Sequence, residues 1–399
     1  MQLPRFIQIH TLHAYPAALL NRDDAGLAKR LPLGNAVRTR ISSQCLKRHW
    51  RVTDDQFALS RLDVPMAVRS RGTLELISQR IQANGITTPL AQAAAEALRE
   101  AGLLDKGGKD KKGEDALKTG QAVLLGKPEI DYLVCRCTEL ASACTDEKAL
   151  KADIAKALKD EKKNIEALKH GSGLESALFG RMVTSDVLAS RDASIYVAHA
   201  FTVHQAQVEN DYFTVVDDLL QEAGELGSAG IFDTELASGL YYGYVVVDVR
   251  QLVENLEGEN FKDCFSPDTP AERRELAGRV VENLLHLIAT VSPGAKRGST
   301  APFDWAKFVL VEAGDWQPRS LAGAFHDALP LEDKSKPGTI RQRTVSRLAQ
   351  EIAAMDDAYG APLARRFLSL DPVEVAGAER TNLNKLGEWV KEVVRQGAC

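Results

Sequence analysis

Long apolar runs are missing from this sequence. Its 399 residues hold no stretch of about eighteen apolar side chains, which argues against a helical membrane span. Cysteine is scarce and scattered. Cys45, Cys135, Cys137, Cys144, Cys264 and Cys399 are too sparse for a disulfide framework, and no neighbouring His or Cys completes four metal ligands around Cys135, Cys137 and Cys144. No GxSxG, no HExxH and no GK[ST] ending to a glycine-rich loop occurs, so nothing points to a serine hydrolase, a zincin or a P-loop triphosphatase. Met1 to Phe6 lacks the basic-then-apolar order of a signal peptide, and the expected compartment is the cytoplasm. No short internal repeat suggests a solenoid.

Charge of one sign is missing locally. From His204 to Val249 there is no Lys or Arg, while Glu209, Asp211, Asp217, Asp218, Glu222, Glu225, Asp233 and Glu235 are present, so this segment cannot grip phosphates. Its apolar residues Tyr212, Phe213, Val215, Val216, Ile231 and Phe232 flank turn-forming glycines from Gly224 to Gly230. A projecting hairpin-like arm suits that pattern, able to wedge between bases or dock on protein; a packed β-meander with an acidic outer face suits it equally. Conversely, no acid lies between Asn283 and Phe303. There Lys296 and Arg297, between Gly294 and Gly298, make a flexible cationic loop.

What is present is most informative at the start. The first fifty-one residues carry nine Lys or Arg against two acids, on a chain of formal net charge −5. A local positive field on an acidic protein selects a polyanion and makes its binding directional. Within it, Ser42 and Ser43 are N-cap residues. Counted from them, Gln44, Lys47, Arg48 and Arg51 fall on one helical face, with Cys45, Leu46, His49 and Trp50 opposite. Such a helix can offer guanidinium groups and backbone N–H groups to phosphates together, with Arg40 just before it. A solvated basic surface helix would look the same.

Along the chain, Arg5 to His13 reads as a strand and Asn21 to Ala36 as an exposed loop leading to the basic helix. Gln56 to His170 has helical spacing, with Thr88-Pro89 as a helix start and a long helical segment from Pro128 to His170. Strands are expected at Leu178 to Thr184, Ala193 to Val203, Leu240 to Val249 and Phe308 to Glu312, a helix from Pro270 to Thr290, and mostly helix after Lys336. That order is a split βαβ, ferredoxin-like sheet with large insertions. Between the helices, Asp105 to Asp115 reads as a solvated loop. For catalysis, His199 and His204 with Asp23 and Asp24 could cleave RNA, but the histidines lie on opposite strand faces and structural roles are commoner for each.

FIQIHTLHAYPAALLNRDDAGLAKR, RTRISSQCLKRHWR and GRMVTSDVLASRDASIYVAHAFTVHQ closely resemble the CasC family, the repeated backbone subunit of the type I-E CRISPR Cascade complex. DYFTVVDDL, LASGLYYGYVVVDV and VSPGAKRGSTAPF extend the resemblance over most of the chain. It implies an α+β protein: an RRM-like palm (1–55, 178–204 and 240–399, the last with C-terminal helices), a helical fingers insertion (56–177) and a β-hairpin-like thumb (205–239). It further implies a non-catalytic protein without cofactor or metal, polymerising with copies of itself along CRISPR RNA beside other Cascade subunits and presenting the guide to target DNA. Arg22, Lys29, Ser42, Gln44, Lys47 and Arg51 match the family's guide-backbone contacts, Met182 the palm residue under a displaced base, and Tyr212, Phe213, Val216 and Ile231 the thumb wedge. Asn35 departs from the family, whose members often carry a second glycine there. The palm also lacks the aromatic signature of a base-stacking RRM. The related type III nucleases leave an alternative, an RNA endonuclease using Asp23 or Asp24.

Overall fold

Apolar residues on both faces make Phe6–Ala18 (β1) the spine of a ten-stranded sheet. The computed structural model describes residues 3–101, 117–119, 122–160, 173–181, 191–216, 228–258, 260, 262–360 and 363–399. Its chain forms two compact units, one of Met1–Leu59, Tyr196–Val247 and Gly278–Cys399, the other of Ser60–Ile195 and Asp248–Ala277.

After β1 come the hairpin Arg30–Leu33 (β2) and Ala36–Ile41 (β3), then Ser43–Val52 (α1). The second unit holds Ala67–Ser70 (β4), Thr73–Ala83 (α2), Thr88–Glu100 (α3), Val123–Gly126 (β5), Lys127–Ser142 (α4), Glu147–Asp160 (α5) and Leu174–Phe179 (α6). Ile195–Val197 (β6), Ala200–Thr202 (β7), Gln207–Val216 (β8) and Ser228–Asp248 (β9) follow, and Val249–Glu257 (α7) belongs again to the second unit. Glu275–Thr290 (α8), Arg297–Thr300 (α9), Phe308–Gly314 (β10), Ile340–Tyr359 (α10), Ala364–Ser369 (β11), Ala378–Arg380 (β12) and Leu383–Gln396 (α11) complete the chain.

The sheet runs β12-β11-β10-β1-β9-β7-β3-β2, with β6 and β8 also paired to β9. Its middle, β10-β1-β9-β7, has α1 after β1 and α8 after β9. That is the strand, helix, strand, strand, helix, strand order of the ferredoxin-like fold, first strand lying between third and last, as the sequence predicts. Successive side chains of β9 point to opposite faces. Tyr241 joins Tyr15, Ile41 and Ala200 on the face that α1 covers with Leu46, and Leu46, Trp50, Ile288 and Val291 line a small cavity with Tyr241. Tyr242 faces the other way, packed with Leu12, Phe308 and Phe367 against Val345, Leu348 and Ile352 of α10. Helix α10 therefore buries the face on which an RRM stacks its bases, and a polynucleotide must bind elsewhere.

Glycine matters at the β2–β3 turn. Gly34 sits at φ 58 and a Cβ there would fall 1.6 Å from the His326 carbonyl oxygen. Only glycine fits the first central position; Asn35 stays outside the left-handed region, as in a type II′ hairpin, and its side chain accepts the Ala328 N–H at 2.8 Å. The Asn35 departure thus leaves the turn intact.

Several boundaries differ from expectation. The supposed loop Asn21 to Ala36 contains β2, because Arg30 to Leu33 pairs residue by residue with β3. Helix α3 starts after Thr87, with Pro89 in its first turn. The segment from Pro128 breaks between α4 and α5, where Asp146 accepts the Ala149 N–H at 2.8 Å. Leu178 lies in α6 rather than a strand: Leu174, Ala177 and Leu178 bury one helical face between Gly173 and Gly180, both at positive φ. The loop from Asp105 to Asp115 lies outside the described residues. In the second unit, α2 to α5 pack Leu74, Ile77, Leu98, Leu133 and Ile154 into one core. Among the described residues no helix is long and apolar enough to cross a membrane.

His13 on β1 makes the fold acid-sensitive. Burial, outweighing the opposing charge of Asp304, pushes its pKa down to about 4. The folded value lies below the ordinary one, so its contribution is intact above pH 6.5 and is lost as pH falls toward 4. His13→Gln is expected to reduce the loss of stability across that window by roughly 1–3 kcal/mol. Urea unfolding at pH 7 and at about pH 4.5 measures it; equal pH dependence in both proteins would contradict it.

Candidate nucleic-acid interface

Helix α1 starts where the sequence places it. Ser42 is the N-cap, its hydroxyl accepting the Cys45 N–H at 3.3 Å, and Thr53 closes the other end on the His49 carbonyl. Trp50 is buried, Cys45, Leu46, Lys47 and Arg51 are half-buried, and Gln44 and Arg48 are exposed. The backbone donors, however, are less open to an anion than expected. Cys45 N–H goes to Ser42, Leu46 N–H to the Ser42 carbonyl at 3.1 Å, and Ser43 N–H to Nδ1 of His199 at 2.9 Å. Ser42 is itself buried, and its own N–H donates to the Asn21 side chain. The helix N-terminus is mostly spent on the protein, which leaves the cationic face as what α1 can offer a polyanion.

Three chain segments converge on that cap. Lys29 N–H donates to Asn21 O at 3.0 Å and Arg40 N–H to Lys29 O at 2.8 Å, so both cations stand beside the residue that anchors Ser42. His199 reports their proximity: its pKa is lowered by burial first, then by the charges of Arg40 and Lys29. A neutral imidazole is what its acceptor role toward Ser43 requires. His204, the other candidate, holds the Leu240 N–H at 3.1 Å and the Gln205 carbonyl at 2.7 Å. The two histidines are therefore occupied with backbone groups at separate places. Arg22 bridges Ala28, closing a tight turn in which Asp23 accepts the Leu27 N–H at 2.9 Å; Asp24 is exposed on that turn.

Arg38 is different. It is fully buried, donating to the carbonyls of Thr202, Phe325 and His326 at 3.0–3.2 Å. Part of the basic excess of the first fifty-one residues is thus internal scaffolding.

Strands β8 and β9 form a two-stranded ribbon from Gln207 to Val216 and Ser228 to Ser238. Facing residues share a side, so Tyr212 with Asp233 and Thr214 with Ile231 make one face, Phe213 with Phe232 the other. Tyr212 is 64% exposed and Ile231 63%. Phe213 stacks on Phe232 with centroids 5.5 Å apart. Tyr212 and Phe213 consequently point to opposite sides. Met182 lies outside the described residues, and the side chain of Val216 is likewise not described.

Partway along the ribbon the acidic strand meets the two basic loops. Buried Glu235 accepts the Ala28 N–H at 2.8 Å and pairs with Arg30. Lys296 donates to Thr234 Oγ1 at 2.7 Å and lies 5.6 Å over the Phe213 ring. Arg297 donates to the Ser292 carbonyl at 3.0 Å, and Ala295 N–H to Leu19 O at 2.8 Å, which ties the loop to the end of β1. Sequence reasoning missed the pairing of Glu235 with Arg30 and the Ala28 N–H, the stacking of Phe232 on Phe213 and the capping role of His199. These contacts join residues distant in sequence, and no local pattern announces them.

Residues 7–395 match the model of the family described as CT1975-like protein. A chain of a solved "CRISPR RNA-guided surveillance complex, pre-nicking" is 26% identical, covering 97% of this chain and 100% of that one with a TM-score of 0.77. A chain of another "CRISPR RNA-guided surveillance complex" is 22% identical, covers 96% and 99%, and at TM-score 0.65 shows the shared fold. No curated protein sequence matches. With the match spanning nearly its whole length, the chain belongs to the CT1975-like protein family.

Proposed function

We propose that this protein is the guide-RNA-binding backbone subunit of an RNA-guided surveillance complex of the type I-E kind, acting in the cytoplasm. The first unit is its palm and the β8–β9 ribbon its thumb; the helical insertion of the second unit is its fingers. Arg22, Lys29, Arg40, Gln44, Lys47, Arg48, Arg51, Lys296 and Arg297 hold phosphates, with Ser42 fixing the helix among them. Tyr212, Phe213, Val216 and Ile231 shape the strand, several copies share one guide, and the guide pairs with target DNA, so sequence is read by base pairing. One observation carries this reading: Lys296 seats the acid-free cationic loop on Thr234 and Phe213, beside the exposed aromatic pair of the ribbon. The phosphate grip then meets the Phe213 and Phe232 face of the ribbon, with Tyr212 and Ile231 on its other face. Asp23 closes a turn in this account and performs no cleavage.

Salt dependence tests it. Lys47→Ala with Arg51→Ala should weaken binding of single-stranded RNA and lower the slope of log K against log salt by about 0.7 for each phosphate that is no longer neutralised. Circular dichroism must first show that the double variant is folded. An unchanged affinity and slope in the folded protein would contradict the proposal.

A further inference from the structure

Two aromatic side chains at the exit of the cationic loop have no part in the function proposed above. Phe303 is 67% exposed and Trp305 71%. Between them Asp304 is buried: its N–H donates to Ser292 Oγ at 2.8 Å, its carbonyl accepts the Ser292 hydroxyl at 3.0 Å, and its carboxylate accepts the Ala14 N–H at 2.8 Å and pairs with Lys307. Just upstream, Ala301 adopts φ 41, and a Cβ on Gly294 would come 2.7 Å from Pro302. Downstream, Ala306 N–H donates to Ala289 O at 2.8 Å. The segment is pinned on both sides, so the exposure of the two rings is built in. A left-handed non-glycine residue beside it is the kind of strain that marks functional positions.

From Ala301 to Ala306 exposure strictly alternates, with 301, 303 and 305 outward and 302, 304 and 306 inward. Phe303 and Trp305 are thus held in solvent together, on either side of buried Asp304. A planar ring fits between or against such a pair. The surroundings select its class. The Arg297 guanidinium lies 5.5 Å over the Phe303 ring, Lys296 is its neighbour, and the acid between the two rings, Asp304, is buried against Lys307. Aromatic faces interleaved with cations bind single-stranded polynucleotides by stacking and charge together.

We propose that Phe303 and Trp305, flanked by Arg297, form a stacking site for an unpaired nucleobase of a single-stranded polynucleotide whose phosphates the cationic loop holds. The site rests on the RNA-binding reading and adds a base contact to it, on residues separate from the β8–β9 ribbon.

The test uses the full-length protein with single-stranded RNA and DNA oligonucleotides of one sequence, each also made with abasic positions. Trp305→Ala and Phe303→Ala should weaken binding about 5- to 100-fold with an unchanged salt slope, while Trp305→Phe keeps most of the affinity. Abasic strands should bind the wild type as weakly as normal strands bind Trp305→Ala. Tryptophan fluorescence should be quenched on binding in the wild type and much less so in Trp305→Phe. A stronger effect with RNA assigns the base to the guide, and with DNA to the target strand. Normal binding by Trp305→Ala and Phe303→Ala would overturn the site alone, and a wild-type protein that binds no single strand would overturn the functional reading with it. Loss of self-association at intact RNA affinity would assign the pair to a contact between copies and equally overturn the site.

Discussion

Glu312→Ala should destabilise the first unit by about 3–5 kcal/mol, the range for removing one partner of a buried charge cluster. Glu312 is fully buried on β10. It accepts from Arg319 at 2.5 and 3.1 Å, from Arg365 Nε at 2.5 Å and from His10 Nε2 at 3.3 Å. Burial opposes its ionisation, but the hydrogen bonds from His10 and Arg319 outweigh that and hold the carboxyl well below the usual range. Its contribution is therefore present above the ordinary carboxylate value and is lost only as pH falls through the folded one. Without it, Arg365 keeps Asp356 as a carboxylate partner but loses the charge on its Nε side, in a site its guanidinium cannot leave for water. Denaturant unfolding of the variant at neutral pH measures the loss. A change below about 1 kcal/mol would mean that the arginines re-pair elsewhere and that Glu312 is not the keystone of this sheet.

Glu235→Gln should weaken binding of single-stranded RNA about tenfold, although it removes a negative charge near a polyanion. Long-range electrostatics alone predicts the opposite sign. Local structure decides, because Glu235 holds the Ala28 N–H and Arg30 and so fixes the turn that carries Arg22 and Lys29. Losing a buried charge-assisted acceptor costs about 1–3 kcal/mol, and the released turn must be ordered again before it can hold phosphates. Fluorescence anisotropy at two salt concentrations separates the effects. Tighter binding by the variant would show that the turn needs no anchor.

These two glutamates mark what the sequence hides. The ferredoxin-like order and the capping of α1 by Ser42 arise from periodicity and caps, which act over a few residues, while the ribbon that carries Tyr212 and Ile231 is one of two readings that the segment's apolar and glycine pattern allows. Glu235 and Ala28, like Glu312 and Arg365, are joined only after the sheet has closed. The same reason explains the hairpin inside Asn21 to Ala36, whose strand β2 is held by pairing rather than by propensity, and the strand β11 inside a region read as helical. Arg38 shows the converse error. By composition it belongs to the basic field, yet its environment of backbone carbonyls makes it a structural rivet.

The most direct test of the guide-binding account is the nucleic acid that the protein carries when purified with its genomic neighbours and a matching CRISPR array. Extracted and sequenced, that RNA should have one defined length with repeat-derived ends, and partial nuclease digestion should leave protection at a regular period set by successive copies. Heterogeneous cellular RNA, or a particle that forms equally well without RNA, would contradict the account.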